Sequence, residues 1–184
     1  LQEDNLVENI RGKGNYIKSN ELIQPTIGME TLCHPVKNCC SVLYDKVELE
    51  LRLELPTEAI LENLKEPCSA IAIIDRWYLQ NDKAVSYSLT FLPIETVSAQ
   101  QLNLQDTAAI LSFLEEKLYV LSSDSILQLT HSNAGNFTAR KYTMSPKDSF
   151  EMIHETLYDQ SHRILCYSKH YIPSDNFHLH IHGR

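Results

Sequence analysis

Hydrophobic and polar residues alternate along positions 41–55, "SVLYDKVELELRLEL", and this is the clearest strand pattern in the chain. One face of that strand carries Val47, Leu49, Leu51, Leu53 and Leu55, while charged side chains occupy the other face. The alternation predicts a half-exposed strand. Residues 56–67 follow with apolar positions at helical spacing between Pro56 and Pro67, which predicts a helix.

The rest of the chain alternates between strand and helix patterns. Residues 69–80 and 84–93 predict a hairpin around Asn81-Asp82, and residues 106–118 predict a helix capped by Asp106 or Thr107. We further predict a strand at 119–129, a short helix at 136–144, a second hairpin from 148–159 and 163–172, and a last strand at 176–184. Because helices separate more numerous strands, the expected class is α+β with a mostly antiparallel sheet.

The first predicted hairpin has one polar and one apolar face. If its loop has three residues, Arg76 faces Ser88, Tyr78 faces Ser86 and Ile74 faces Thr90. The polar face then carries Ala70, Ala72, Arg76, Tyr78, Ser86, Ser88 and Thr90, and the apolar face carries Trp77, Leu79, Val85, Tyr87, Leu89 and Phe91. A two-residue loop would change this pairing. The polar face suits a small polar or anionic ligand, because guanidinium binds carboxylate and phosphate.

Arg76 also has a purely structural interpretation. Its guanidinium could pair with Asp45, with Asp75 or with a glutamate at the sheet edge, since buried charged side chains are usually paired. This alternative stays open at the level of sequence.

Composition and charge limit the function classes. The chain has 184 residues, of which 43% are hydrophobic, and a formal net charge of −8, which disfavours nucleic-acid binding by most of its surface. Its apolar runs are shorter than the roughly 20 residues of a membrane span. Five irregularly spaced cysteines favour reduced thiols and a cytoplasmic location. We find no motif for a bound cofactor and expect none.

A basic segment, "NIRGKGNYIKS" at 9–19, contrasts with this acidic background. Arg11 and Lys13 sit beside Gly12 and Gly14, which suits a tight hairpin tip that needs positive φ. Residues 20–40 mix prolines, a glycine and isolated apolar residues without a clear period, and we interpret them as a linker.

These segments together resemble a known family. "LVENIRGKGNYI" is similar to the wing of the GntR-type winged helix-turn-helix, and "EPCSAIAIIDRWYLQNDKAVSYSLTFLP" and "YDQSHRILCYSKHYIPSDNF" resemble motifs of the UTRA effector-binding domain. The resemblance implies a chorismate-lyase-like fold, with a winged-helix remnant at 1–19, a linker at 20–40 and an effector-binding domain at 41–184. It also implies that the chain starts inside the DNA-binding domain and lacks a recognition helix.

The resemblance also implies site residues. Arg76 matches the first arginine of the family's "RlR" motif, Tyr78 replaces the second, and Ser88 replaces a glutamate. The implied effector-binding residues, together with the polar face of the hairpin, are Arg76, Tyr78, Ser86, Ser88, Thr107, Cys166, Tyr167 and Tyr171. Thr107 stands where free N–H groups at a helix start favour an anion. Arg11 and Lys13 are the implied DNA contacts.

The expected function is therefore a transcription regulator, not an enzyme. Its implied partners are operator DNA through the full winged-helix domain, a small-molecule effector and a second copy in a homodimer, with no membrane. A chorismate-lyase-like enzyme and a ligand-free dimerisation module remain alternatives. We expect no metal site at the alternating His178, His180 and His182 or at the Cys33, His34, Cys39 and Cys40 cluster.

Overall fold

The computed structural model describes residues 7–10, 14–17, 28–136 and 141–182. The first described elements are two short strands, β1 (Val7–Ile10) and β2 (Gly14–Ile17), which pair antiparallel. Arg11 and Lys13 lie between them and outside the described residues, so their contact with DNA stays a prediction.

Six further strands form one antiparallel sheet. They are β3 (Lys46–Glu54), β4 (Ile71–Gln80), β5 (Lys83–Pro93), β6 (Asp124–Ser132), β7 (Phe150–Tyr158) and β8 (Ile164–Pro173). Their order across the sheet is β3-β4-β5-β8-β7-β6, so β3 and β6 are the edge strands. Both predicted hairpins, β4–β5 and β7–β8, are present, and the α+β class with a largely antiparallel sheet is confirmed.

Helices flank this sheet. They are α1 (Pro35–Cys39), α2 (Glu58–Leu64), α3 (Ile94–Ala99) and a longer helix that comprises α4 (Thr107–Ser112), a π-helical turn (Phe113–Lys117) and α5 (Leu118–Leu121). Asp106 caps this long helix, because its side chain accepts a hydrogen bond from the Ala109 N–H. A short 3₁₀ turn (Ser174–Asn176) follows β8.

The β4–β5 turn differs from the expected three-residue loop. Gln80 pairs with Lys83 across a two-residue turn, in which Asn81 and Asp82 have φ of 49° and 60°. Positive φ at both positions gives the twist that suits a tight hairpin. A β-bulge after Tyr78 then shifts the pairing by one residue and restores the predicted register, with Arg76 opposite Ser88 and Tyr78 opposite Ser86.

One face of the sheet carries two apolar clusters with a polar zone between them. Ala72 and Ile74 of β4 pack against the long helix, in a cluster that includes Phe113 and Leu118. At the other end of the strand, Tyr78 packs with α1. The same cluster contains Val85, which the bulge places with Tyr78 and not with Trp77 as predicted. Arg76 lies between these clusters along β4.

The opposite face of the sheet also carries two apolar clusters. Ile71, Ile73 and Tyr167 pack with Leu64 of α2. Trp77, Tyr87 and Tyr171 form a second cluster, which also contains Met144 and Phe150. Tyr167 and Tyr171 therefore lie on the face away from Arg76.

The described residues 28–40 of the predicted linker pack against the sheet. They contain α1, and His34, Val36 and Cys39 are completely or almost completely buried against the sheet. Whether a domain boundary falls in this region stays a prediction.

Three element predictions are wrong in their extent. Residues 119–121 are helical and the strand begins at Asp124, because Leu118 and Tyr119 continue the long helix and pack into the core. The helix predicted at 136–144 is described at residues 136 and 141–144. Of these, residue 136 is helical and residues 141–144 have no regular structure.

Of the predicted last strand, residue 176 ends the 3₁₀ turn and residues 178–182 have no regular structure. This C-terminal segment, 176–182, is joined to the segment before β3 by backbone hydrogen bonds, from Met29 N–H to His180 O (2.9 Å), from His178 N–H to Cys39 O (2.9 Å) and from Ser41 N–H to Asn176 O (2.8 Å).

Candidate functional site

The polar zone on the sheet is centred on Arg76. The residue is only 1% exposed, and its guanidinium donates to Glu115 Oε1 (2.5 Å) and to Thr90 Oγ1 (2.9 Å). Thr90 Oγ1 lies 2.9 Å from Ser168 Oγ on β8. We call Arg76, Glu115, Tyr78, His34, Thr90 and Ser168 the Arg76 network.

Tyr78 and His34 complete the bonding around Glu115. The Tyr78 hydroxyl donates to Glu115 Oε1 at 2.7 Å, and His34 Nε2 lies 3.1 Å from the Tyr78 oxygen. His34 Nδ1 accepts from the Val36 N–H at the start of α1, so a neutral His34 carries its proton on Nε2. Nε2 then donates to the Tyr78 oxygen, and the 3.1 Å approach of Arg76 to Nε2 is a contact between two donors.

Burial sets the charges of these groups. Burial and the neighbouring Arg76 lower the pKa of His34 well below its usual value, so the imidazole is neutral. Burial raises the pKa of Tyr78, whose phenol keeps its proton. Burial also opposes charge on Arg76, but the paired Glu115 carboxylate outweighs that effect and raises the pKa of the guanidinium.

Glu115 reaches Arg76 from an unusual backbone position. It lies within the π-helical turn of the long helix, at Phe113–Lys117, and such turns are frequent at functional sites. Its Oε1 is taken by Arg76 and Tyr78. Its Oε2 has no hydrogen-bond partner among the described residues, and neither has Arg76 Nε, although both atoms are fully buried. Lys37 Nζ on α1 lies 3.9 Å from Oε2.

A second buried chain of hydrogen bonds lies beside the Arg76 network. Ser88 Oγ is 2.7 Å from His170 Nδ1, His170 Nε2 is 3.1 Å from Glu155 Oε2, and the Tyr119 hydroxyl donates to the same oxygen at 2.9 Å. We call these four residues the Glu155 relay. The rings of His34 and His170 meet edge to face with centroids 5.0 Å apart, so the two groups adjoin.

The structure brings together part of the predicted site. Arg76, Tyr78 and Ser88 lie in the network or the relay. Cys166 is buried close by, with its Sγ 4.0 Å from Ser168 Oγ, and burial raises the pKa of its thiol to about 12. Ser86 is also buried, but its hydroxyl donates to the backbone oxygen of Tyr171.

Three predicted effector residues lie elsewhere. Tyr167 and Tyr171 pack on the opposite face of the sheet, because neighbouring residues of a strand point to opposite sides and Ser168 and His170 face Arg76. Thr107 is exposed at the start of the long helix, where the Asp106 carboxylate already accepts from the Ala109 N–H. The partner of Arg76 is Glu115, and not the predicted Asp45, Asp75 or edge glutamate.

Sequence reasoning missed most of the polar residues that surround Arg76: His34, Glu115, Tyr119, Glu155 and His170. The alternation of Cys166, Ser168 and His170 on β8 could have indicated a second polar strand face. Glu115 had no such signal, because "FLEEK" is typical of an ordinary amphipathic helix.

The histidine-rich segment forms no metal cluster in the described part of the chain. The rings of His178 and His180 lie 5.1 Å apart, and His182 pairs with Glu30 at 3.8 Å. All five cysteine thiols, at described positions, are free of disulfides. Among the described helices, none has the length and apolar character needed to cross a bilayer.

Several solved structures share this fold. The possible transcriptional regulator YydK from Bacillus subtilis matches with a TM-score of 0.62 and 16% identity, over 100% of this chain and 78% of that one. A GntR-family transcriptional regulator from Enterococcus faecalis V583 matches with a TM-score of 0.61 and 13% identity, over 75% of this chain and 100% of that one. The effector-binding domain of the B. subtilis trehalose repressor matches with a TM-score of 0.61 and 13% identity, over 76% of this chain and 98% of that one.

Sequence comparison gives the family directly. A search of curated proteins gives no match. The model of the UTRA domain, in contrast, matches residues 46–178. This range includes all six strands of the large sheet, the Glu155 relay and every residue of the Arg76 network except His34. The match covers most of the chain, and the fold is that of GntR-family effector-binding domains. The chain therefore belongs to the UTRA domain family.

Proposed function

We propose that the chain is the effector-sensing and dimerising part of a GntR-type transcription regulator, acting in the cytoplasm. The observation that carries this proposal is the enclosed polar zone on the sheet, where two buried polar atoms, Arg76 Nε and Glu115 Oε2, lack hydrogen-bond partners among the described residues. Native proteins leave few such atoms unsatisfied, and a polar ligand that reached them would supply the missing bonds. We place the effector site there.

The segment before β3 gives this site a route to a DNA-binding domain. His34 contacts Tyr78 directly, and Lys37 Nζ donates to the backbone oxygen of Glu115 at 3.4 Å. A ligand that enters between Arg76 and Glu115 must displace this cover, because the site is closed to solvent in the structure. Movement of residues 28–40 would then change the relative arrangement of the two winged-helix domains of the dimer. This change would alter the affinity for operator DNA.

We further propose a homodimer through the edge strand β6. Leu129 of β6 and Leu179 and Ile181 of the C-terminal segment are exposed large apolar residues, and together they line a groove of 310 Å³. A second copy of the chain would cover this surface in an isologous contact. Light scattering should give a dimer that Leu129→Glu weakens. The control Leu53→Glu, on the opposite edge strand, should leave it intact.

Ligand-dependent melting tests the sensing function. A metabolite that binds the folded state raises the melting temperature by mass action, while a ligand-free dimerisation module would respond to none of the panel. Catalytic turnover of chorismate would instead support the lyase alternative. Pairing of Arg76 with Glu115 disfavours that alternative, because it occupies the guanidinium that would hold a substrate carboxylate.

Two matched tyrosine variants then locate the site. Tyr78→Phe removes a buried hydroxyl beside Arg76, while Tyr87→Phe removes one that donates to Asp75 on the opposite face. Calorimetry with a stabilising metabolite should show about 0.5–1.5 kcal/mol weaker binding for Tyr78→Phe. Tyr87→Phe should keep the wild-type affinity. Equal effects in the two variants would contradict the location.

A further inference from the structure

The guanidinium of Arg76 is already neutralised inside the buried zone. The guanidinium is paired at 2.5 Å with Glu115, and the second buried carboxylate, Glu155, is held by His170 and Tyr119. Arg76 and Glu155 are 1% and 2% exposed, so water screens neither charge. The zone thus offers a ligand one cation that is neutralised and two carboxylates.

Lys37 does not alter this balance. Its side chain is 40% exposed at the rim of the site, and its Nζ lies 3.9 Å from Glu115 Oε2 and 3.9 Å from Glu116 Oε1. It is therefore shared between two carboxylates and partly in water. Among the described residues, Arg76 and Lys37 are the cations that pair with Glu115.

A phosphate or carboxylate would meet a specific obstacle here. To bind Arg76 it must either lie beside Glu115, with like charges adjacent in a buried site, or displace Glu115 and leave that carboxylate with only Lys37 nearby. Hydroxyl groups meet no such obstacle. They can accept from Arg76 Nε or donate to Glu115 Oε2 while the ion pair stays intact.

The remaining groups of the zone also suit hydroxyls. Tyr78, Thr90, Ser168, Ser88 and Tyr119 each present a hydroxyl that can donate and accept. Such groups can exchange hydrogen bonds with a ligand that does the same, and they add no charge for a ligand to neutralise.

We propose that the effector is an uncharged, hydroxyl-rich molecule such as a sugar or polyol without phosphate or carboxylate, and that Glu115 makes the site reject anions. This inference rests on the proposed function for the place of the effector site. It departs from the anionic ligand that Arg76 indicates in the sequence, because Glu115 occupies the guanidinium.

Inorganic phosphate is the probe for this selectivity. Melting curves are measured in phosphate and in chloride at equal ionic strength, for the wild type, Glu115→Gln and Glu116→Gln. Glu115→Gln keeps the shape of the side chain and removes its charge. Glu116→Gln makes the same change at the adjacent, exposed position that shares Lys37.

Only Glu115→Gln should gain a saturable stabilisation by phosphate, with at least about tenfold tighter apparent binding than the wild type, since juxtaposed like charges cost several kcal/mol. The gain should disappear when Arg76→Gln is added. Wild-type protein that binds phosphate as tightly as Glu115→Gln, or a folded Glu115→Gln without any response, would overturn the inference.

A second arm does not depend on the folding of Glu115→Gln. Wild-type protein is melted with pairs of sugars that differ only in one phosphate. The neutral member should stabilise more, and a pair in which the phosphorylated member alone stabilises would overturn the inference. If no member of any pair stabilises the wild type, the proposed sensing of this ligand class fails, while the phosphate response of Glu115→Gln still decides whether Glu115 excludes anions.

Discussion

Removing the positive charge of Arg76 should destabilise the fold strongly. Arg76→Met keeps a long, flexible side chain between the two apolar clusters but leaves the Glu115 carboxylate buried without its partner. Breaking a buried ion pair from one side costs about 3–5 kcal/mol. For a chain of this size, each kcal/mol lowers the melting temperature by roughly 2–4 °C, so we expect a decrease of about 6–20 °C.

The cost should largely vanish when both charges are removed. Arg76→Met combined with Glu115→Leu replaces the pair with apolar groups of similar volume, and such replacements are often neutral or stabilising by about 1–4 kcal/mol. The free energies of unfolding of the wild type, the two single variants and the double variant therefore form a cycle with a large coupling energy.

Urea unfolding followed by circular dichroism measures these four free energies. Lys147→Met is the control, because the Lys147–Asp175 pair (3.0 Å) has both side chains 67% exposed and its loss should change stability by no more than about 0.5 kcal/mol. If Arg76→Met costs less than about 1 kcal/mol and the cycle is additive, the guanidinium is not held by Glu115 as described.

Three further predictions concern stability. Burial and Arg76 lower the folded-state pKa of His34, so the unfolded state binds more protons at low pH. The free energy of unfolding should therefore fall as the pH drops below about 6.5, by up to about 1.4 kcal/mol per pH unit for this group. Urea unfolding between pH 7 and pH 5 should show a smaller loss of stability in His34→Gln than in the wild type. Lys65→Gly should stabilise by about 0.5 kcal/mol in urea unfolding, because Lys65 ends α2 with φ of 56°, where glycine is unstrained; a destabilised variant would contradict this. Gly135→Ala should lower the melting temperature, because a Cβ there would lie 2.6 Å from ring carbons of the buried Phe150; an unchanged melting temperature would contradict this contact.

The sequence predicted the sheet better than the site. Alternation in β4 and β5 placed Arg76 opposite Ser88, and this register is confirmed although the assumed loop length was wrong, since the bulge compensates for the shorter turn. Strand patterns are local, so a wrong turn length leaves the assignment of each strand intact, whereas the pairing between the strands was kept only by the bulge.

The site depends on contacts that no local pattern contains. Glu115 is 39 positions from Arg76 in sequence, and His34 is 42 positions away on the other side. The assignment of both Cys166 and Tyr167 to one pocket also conflicts with strand geometry, because adjacent residues of a strand face opposite sides. Only the packing of α1 and the long helix on the sheet determines which polar residues meet.

The backbone hydrogen bonds between residues 29–41 and the C-terminal segment have a mechanical consequence. Met29 bonds His180, while Ser41, further along the first segment, bonds Asn176, nearer the sheet. A pull applied at residue 28 against residue 182 would therefore load these bonds one after another, as in opening a zipper, and not all together as in shearing. Force spectroscopy should show this segment peeling at low load, towards α1 and the His34 contact, before the six-stranded sheet yields.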